Sequence, residues 1–289
     1  MTLVDIYNFF LNYQIPSGFA AMLRIAWPAF AMFCFTTILR DAIYFTHPTK
    51  GIYNGDWYAK FNESWYPQYS ILNWFPRSVV GYWAVIALFY ITGITSMLGL
   101  FTNLSLLVFC ICAVSLLTRV TPLCSCGADA VHRMLYFAII FIDCGSQYSL
   151  DNLIGIATNQ PYVDGWTIRL LQIYLCAIYM CSSFSKLPDT YWKNGEVMRN
   201  SVYSLGWGKR YPIFLKLFKI PFVYKSLAWF VLLFEWLSFP IYFIQELRPF
   251  AVFFGVCFHL GIVVMLRIGA FGPVMIMLNL VFLDFLFKS

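Results

Sequence analysis

Charge is scarce in this chain: Asp, Glu, Lys and Arg make up 11% of its 289 residues, and His occurs three times. Between Arg77 and Arg119, forty-one consecutive residues contain none of the four charged types. At about 1.5 Å per helical residue, such a run is roughly twice the thickness of a bilayer's hydrocarbon core. One span cannot absorb it, so the run must fold back on itself, most simply near Gly99 and Asn103, as an integral membrane hairpin. A hydrophobic content of 61% and a mean hydropathy of +0.72 agree, both outside the usual range of soluble domains. Other absences narrow the reading. No polar block of domain length is left once the apolar stretches are assigned, so a single transmembrane domain over residues 1–289, with its core at 18–287 and no soluble domain, is expected. The opening residues, amphipathic around Asp5 and Asn8, have neither a basic n-region nor a small-residue cleavage site, so no removable signal peptide is expected. There is no internal repeat and no matched pair of Gly- or Pro-broken helices, which argues against a transporter or channel. The net charge of +6 fits loops facing anionic lipid, and no nucleic-acid partner is expected.

Hydropathy and breaker residues predict an all-α bundle of about eight spans: 18–43, 79–98, 101–119, 130–150, 166–187, 226–245, 249–267 and 270–287. Pro188 closes the fifth, Pro249 opens the seventh, and Gly269, Gly272 and Pro273 make the last turn. Two connections are long. Residues 44–78 are rich in Tyr, Trp and Asn and suit a cap at headgroup level. Residues 188–225 carry Lys209, Arg210, Lys216, Lys219 and Lys225, and Ile213, Phe214 and Leu217 recur at helical spacing between Pro212 and Pro221, which predicts a short interfacial helix with its lysines in the headgroups. Its basic character points to the cytoplasm, but an enzyme with a lumenal active side would break that rule, so orientation stays open. Most of the nine cysteines, including Cys34, Cys110, Cys112, Cys176, Cys181 and Cys257, lie in apolar runs and read as small hydrophobes. Cys124 and Cys126 differ by sitting in the loop from Pro122 to Gly127, but Cys-x-Cys is a poor disulfide and a weak metal signal without further ligands.

An ionisable side chain at bilayer depth costs a few kcal/mol, so each is a functional candidate to be weighed against snorkelling or structural pairing. Arg24 interrupts an uncharged stretch from Asn8 to Leu39, and snorkelling explains it as well as a functional role does. His132 and Asp143 are eleven residues apart, about 20° apart on one helix face, with Tyr136 between them and Gln147 a turn further on. Such a stripe is either a hydrogen-bonded seam or one wall of a substrate cavity. Glu235 and His259 each lie about twelve residues from the turn near Leu247, so an antiparallel hairpin predicts them to be neighbours at one depth. Lys186 occupies the last turn of the fifth span, where a snorkelling cation is the plain reading. In apolar surroundings a lysine also loses its proton readily and becomes a base.

Several segments together resemble a known family. Tyr174, Tyr179-Met180, Ser183-Phe184-Ser185-Lys186-Leu187, Trp192 and Gly195 resemble the Tyr, small residue, Lys-Leu, Trp-x-x-Gly pattern of the HTTM membrane domain. That domain is shared by vitamin K-dependent γ-glutamyl carboxylases and by bacterial SdpB proteins of peptide-toxin operons. Leu23-Arg24-Ile25, Leu98-Gly99-Leu100, Gly127-Ala128-Asp129 through Ser149-Leu150-Asp151, Glu235, Phe258-His259, and Phe271 with Val274-Met275 resemble its further segments in order, over about residues 18–285. The resemblance implies that Lys186 is the base that deprotonates a reduced, vitamin K-like quinone, with His259 and Glu235 as catalytic partners. Arg24, His132, Tyr136, Asp143, Asp151, Tyr179 and Trp192 are then the candidate pocket residues. No metal is expected. The chain has Ser185-Lys186 where the carboxylases have two lysines, one extra residue before Trp192, and no expected counterpart of their large lumenal domain. The resemblance therefore implies either a quinol- and oxygen-dependent oxidoreductase or lyase, or an SdpB-like accessory protein that matures or exports a small secreted peptide. Its partners are the lipid bilayer and a small peptide or protein substrate, and its place is the cell membrane (plasma or inner) as a multi-pass protein.

Overall fold

Gly99 turns the long uncharged run back on itself. The computed structural model describes residues 3–62, 70–120 and 127–287; Cys124 and Cys126 lie outside them. The chain divides into two compact units, one of residues up to 167 together with Phe287, the other of residues 168–286.

The first unit contains α1 (Leu3–Phe10), β1 (Gln14–Pro16), α2 (Ser17–Thr46), α3 (Gly55–Asn62), α4 (Val79–Leu98), α5 (Thr102–Val120), α6 (Gly127–Ile140), α7 (Leu150–Leu153) and β2 (Tyr162–Asp164). Its centre is the α4–α5 hairpin. Gly99 caps α4 at φ 69°, a left-handed conformation that costs a side-chain-bearing residue about 1–2 kcal/mol. A Cβ there would also stand 2.3 Å from Arg24 Nη1 and 2.4 Å from Ser149 Cβ. α5 then starts on a carboxylate: Asp151 accepts from Phe101 N at 2.8 Å, Thr102 N at 2.7 Å and Thr102 Oγ1 at 2.7 Å, meeting orphan N–H groups of a helix N-terminus. α2 packs on this hairpin through small and aromatic residues. A Cβ on Gly93 would lie 2.6 Å from Met32 Sδ, and the rings of Phe35, Phe89, Phe109 and Tyr136 follow one another at centroid spacings of 5.4, 5.0 and 5.9 Å.

The second unit opens within α8 (Trp166–Lys186) and continues through α9 (Thr190–Lys193), α10 (Glu196–Tyr203), α11 (Pro212–Leu217), α12 (Pro221–Trp236), α13 (Ser238–Phe243), α14 (Arg248–Met265) and α15 (Phe271–Asn279), ending in a 3-10 segment, Leu280–Phe287. α11 stands where the interfacial helix is predicted. α14 and α15 approach closely because position 272 is glycine: a Cβ there would lie 2.5 Å from Val263 Cγ2 and 3.0 Å from His259 O.

The all-α architecture holds, with three differences from the predicted spans. Among the described residues, five helices are long and apolar enough to cross a membrane: Ser17–Thr46, Val79–Leu98, Thr102–Val120, Trp166–Lys186 and Arg248–Met265. The fourth predicted span, 130–150, stops as a helix at Ile140, and the chain turns where Asp143 Oδ1 accepts from Gly145 N at 3.3 Å. The sixth, 226–245, breaks at Leu237, three residues ahead of Pro240, which has no N–H to continue the ladder. The eighth continues past Asn279 as 3-10 rather than α-helix. One antiparallel ladder was not foreseen: Gln14, Ile15 and Pro16 pair with Asp164, Val163 and Tyr162.

Candidate functional site

Within the second unit, the sequence of α8 puts a polar row on one helix face. Tyr179, Ser182, Ser183 and Lys186 are spaced by three, one and three residues, so all four lean toward the same neighbours over two turns. Ser183 Oγ donates to Leu232 O at 3.0 Å, which ties α8 to α12 and sets their relative height. That height brings Glu235 on α12 opposite Lys186. Lys186 Nζ donates to both carboxylate oxygens, at 2.7 and 2.8 Å, and Ser182 Oγ reaches Glu235 Oε1 at 3.5 Å. The side chains are 18% and 4% exposed, so the pair sits at the edge of the unit with the carboxylate inside and the ammonium toward the rim.

The rim is closed by the short turn after α8. Asp189 caps α9, accepting from Tyr191 N at 2.8 Å, and this places the Trp192 ring with its centroid 4.6 Å from Lys186 Nζ. An ammonium at that distance from an indole face is held by the ring quadrupole. Gly195, at φ 74°, follows, and a Cβ there would lie 2.8 Å from Lys225 Cα. Here glycine lets the turn carrying Trp192 lie directly on α12.

Two turns deeper, Tyr179 joins a second buried network. Asn279 Nδ2 donates to Met275 O at 2.8 Å and to the Tyr179 hydroxyl at 3.0 Å, so the amide orientation is fixed by the carbonyl. The Tyr242 hydroxyl donates to Asn279 Oδ1. The Tyr179 hydroxyl, already accepting from Asn279, also shares a hydrogen bond with His259 Nε2 at 2.9 Å, with the two rings stacked at 13°. The other ring nitrogen of His259, Nδ1, is buried and has no partner among the described residues. A buried polar nitrogen left unpaired costs about 1–3 kcal/mol. Gly255 makes the network possible, because a Cβ at that position would lie 2.3 Å from the Tyr242 oxygen and 2.4 Å from Asn279 Oδ1.

Of the candidate residues, Lys186, Glu235, His259, Tyr179 and Trp192 thus come together in this unit. The direct Glu235 and His259 contact expected from the hairpin is not what forms: the carboxylate takes Lys186 and the imidazole takes Tyr179. Lys186 likewise is not a lone amine in an apolar pocket, since a carboxylate faces it.

The remaining candidates belong to the first unit. Arg24 is fully buried and donates to Cys144 O at 3.0 Å and Tyr148 O at 2.5 Å, while Asp151 caps α5. Both are accounted for by backbone groups around Gly99. His132 Nδ1 meets the Tyr136 hydroxyl at 3.3 Å, and its Nε2 is buried without a partner among the described residues. Asp143 does not extend this stripe. α6 has already ended, and Asp143 is exposed in the following turn.

Asn279, Tyr242, Ser182 and Ser183 were not singled out from the sequence as site residues. Asn279 had a signal: it is the one amide in an apolar run from Phe271 to Leu283, although an uncharged amide stands out less in such a run than an ionisable group does.

No curated protein and no solved structure matches the chain. The profile of the HTTM domain matches residues 28–286, a range that takes in both units and every residue of the Lys186 site, and the chain therefore belongs to the HTTM domain family.

Proposed function

We infer that this membrane protein is an enzyme that draws a proton from a hydroxyl group of a quinol-like substrate, with Lys186 as the contacting base. The observation that carries the reading is the contact of Lys186 Nζ with both oxygens of a nearly buried carboxylate, at 2.7 and 2.8 Å, while the ammonium side keeps 18% exposure. A pair arranged in this way can take up one proton without leaving a lone charge in the interior. Nζ accepts the incoming proton on its open side as it passes one of its own to Glu235. The pair then stands as ammonium and carboxylic acid, and the new oxyanion lies beside the ammonium, which stabilises it. Trp192 covers that ammonium and limits water at the transfer.

A reduced quinone fits this set of groups. The His259 Nδ1 atom, unpartnered among the described residues, is a second hydrogen-bonding group on the same side of α8, and Tyr179, Phe234 and Phe258, with Phe234 5.6 Å from Tyr179 and 6.5 Å from Phe258, supply aromatic faces for an apolar ring. When bound, such a quinol supplies electrons for the reduction of oxygen.

Two measurements test the reading. Protein purified from its membranes and extracted with organic solvent should release a quinone in near-stoichiometric amount. Lys186→Ala and Lys186→Arg should both abolish quinol consumption, since a guanidinium stays protonated and cannot relay a proton. Full activity in both variants removes the base role. If no quinone is recovered as well, the second family-derived reading, an accessory protein acting on a small secreted peptide, takes its place.

A further inference from the structure

The 38 residues between Glu196 and Glu235 include no acidic side chain but do include Arg199, Lys209, Arg210, Lys216, Lys219 and Lys225. Within this segment Leu205, Trp207, Tyr211, Ile213 and Phe222 are exposed, and such alternation of cations with bare apolar groups suits the headgroup layer of a membrane. At one place the segment builds a cavity. Gly208 bridges Leu266, Lys209 N donates to Met265 O at 2.9 Å and Arg267 N donates to Trp207 O at 2.7 Å, so the loop is clasped onto the end of α14. Beneath the clasp lies a half-open cavity of about 220 Å³, lined by Lys209 and Arg267 at its polar side and by Ile262, Val263, Leu266 and Ile268 at its apolar side. That is room for far more than one water, whose share of liquid volume is about 30 Å³.

The charge of the cavity has no acidic counterpart among the described residues that line it. Lys209 Nζ spends one donor on Val263 O at 2.7 Å, which offsets the negative end of the α14 dipole and leaves two further N–H groups. Arg267 is exposed, and its guanidinium has no partner among the described residues. No acidic residue lines the walls. The cavity also lies at the end of the candidate span Arg248–Met265, with Ile262 and Val263 inside the span and Arg267 just beyond it, the position at which a spanning helix reaches the headgroup phosphates.

The geometry points to this cavity as a seat for the phosphate of an anionic phospholipid, with Arg267 and Lys209 on the phosphate and the apolar wall against the upper acyl chain. A free phosphate shares the headgroup chemistry but would leave the apolar wall uncovered. The seat is independent of the reaction at Lys186.

The test is native mass spectrometry of the whole protein released from non-ionic detergent micelles, which carry no net surface charge. It is titrated with phosphatidylglycerol, phosphatidylcholine or inorganic phosphate. One phosphatidylglycerol should bind each chain, and Arg267→Gln should weaken it by about five- to tenfold, whereas Lys216→Gln, on the same basic segment but outside the cavity, should leave it within about twofold. Arg267→Lys, which keeps the charge, should retain binding and shows whether a weak Arg267→Gln result comes from misfolding. The proposal is overturned if Arg267→Gln binds like the wild type, if Lys216→Gln loses as much, if phosphatidylcholine binds equally well, or if millimolar inorganic phosphate displaces the lipid.

Discussion

Glu235 is a carboxylate that lies inside the second unit and is matched by one ammonium, so the two side chains are strongly coupled. Removing either alone strands the other. Lys186→Met should lower stability by about 3–5 kcal/mol because it leaves a buried carboxylate unpaired, and the double variant Lys186→Met with Glu235→Leu should recover a large part of that loss. A thermal-unfolding double-mutant cycle in detergent checks this; additive losses would mean that the pair is not formed. Tyr179→Phe should cost about 1–3 kcal/mol, since it deprives both Asn279 Nδ2 and His259 Nε2 of a partner in the interior. The same scan reads it, with Tyr174→Phe, on a less enclosed part of α8, as the comparison. Lys186, Glu235 and His259 were visible in the sequence because an ionisable group stands out in an apolar run. Their pairing was not visible. Rotating a helix by one residue turns its face through about 100°, and that is enough to exchange Lys186 for His259 in front of Glu235.

At the scale of elements, the hairpin over 79–119 could be read directly, because length and lack of charge leave one solution and Gly99 marks the bend. What the periodicity did not reveal is what holds the bend: Asp151, fifty residues away in sequence, caps α5, and Arg24 fills the space that a side chain at 99 would need. Gly99→Ala should therefore cost at least about 2 kcal/mol, from left-handed backbone strain and from crowding against Arg24 and Ser149. Asp151→Asn should cost about 1 kcal/mol, as a cap that keeps only part of its acceptor capacity. Melting temperatures of the two variants, with Gly155→Ala as a reference, separate strain from crowding: Gly155 has φ 78° but nothing within 4 Å of an added Cβ. The breaks at Ile140 and Leu237 were misread for a shared reason. Hydropathy measures whether a segment tolerates lipid and says nothing of whether a turn or a proline interrupts its hydrogen-bond ladder.

For the whole molecule, membrane embedding makes a prediction about its thiols. Cys110, Cys112, Cys144 and Cys176 are buried, whereas Cys181 and Cys257 are exposed on the sides of α8 and α14, two of the candidate spans. In sealed bilayers a charged maleimide should leave Cys257 unmodified although its side chain is exposed at the protein surface, and should label it fully after unfolding in strong detergent. Rapid labelling in the intact bilayer would show that α14 does not cross the hydrocarbon. The ladder between residues 14–16 and 162–164, together with the Phe287 ring 5.7 Å from Phe19, also constrains how the protein is made. Ile15 and Phe19 leave the ribosome well before their partners, the last of which follows the whole of the second unit. Until then this part of the surface around α2 must wait in the insertion machinery or in lipid without its partners, and any pause in synthesis before residue 287 prolongs its exposure to quality-control proteases.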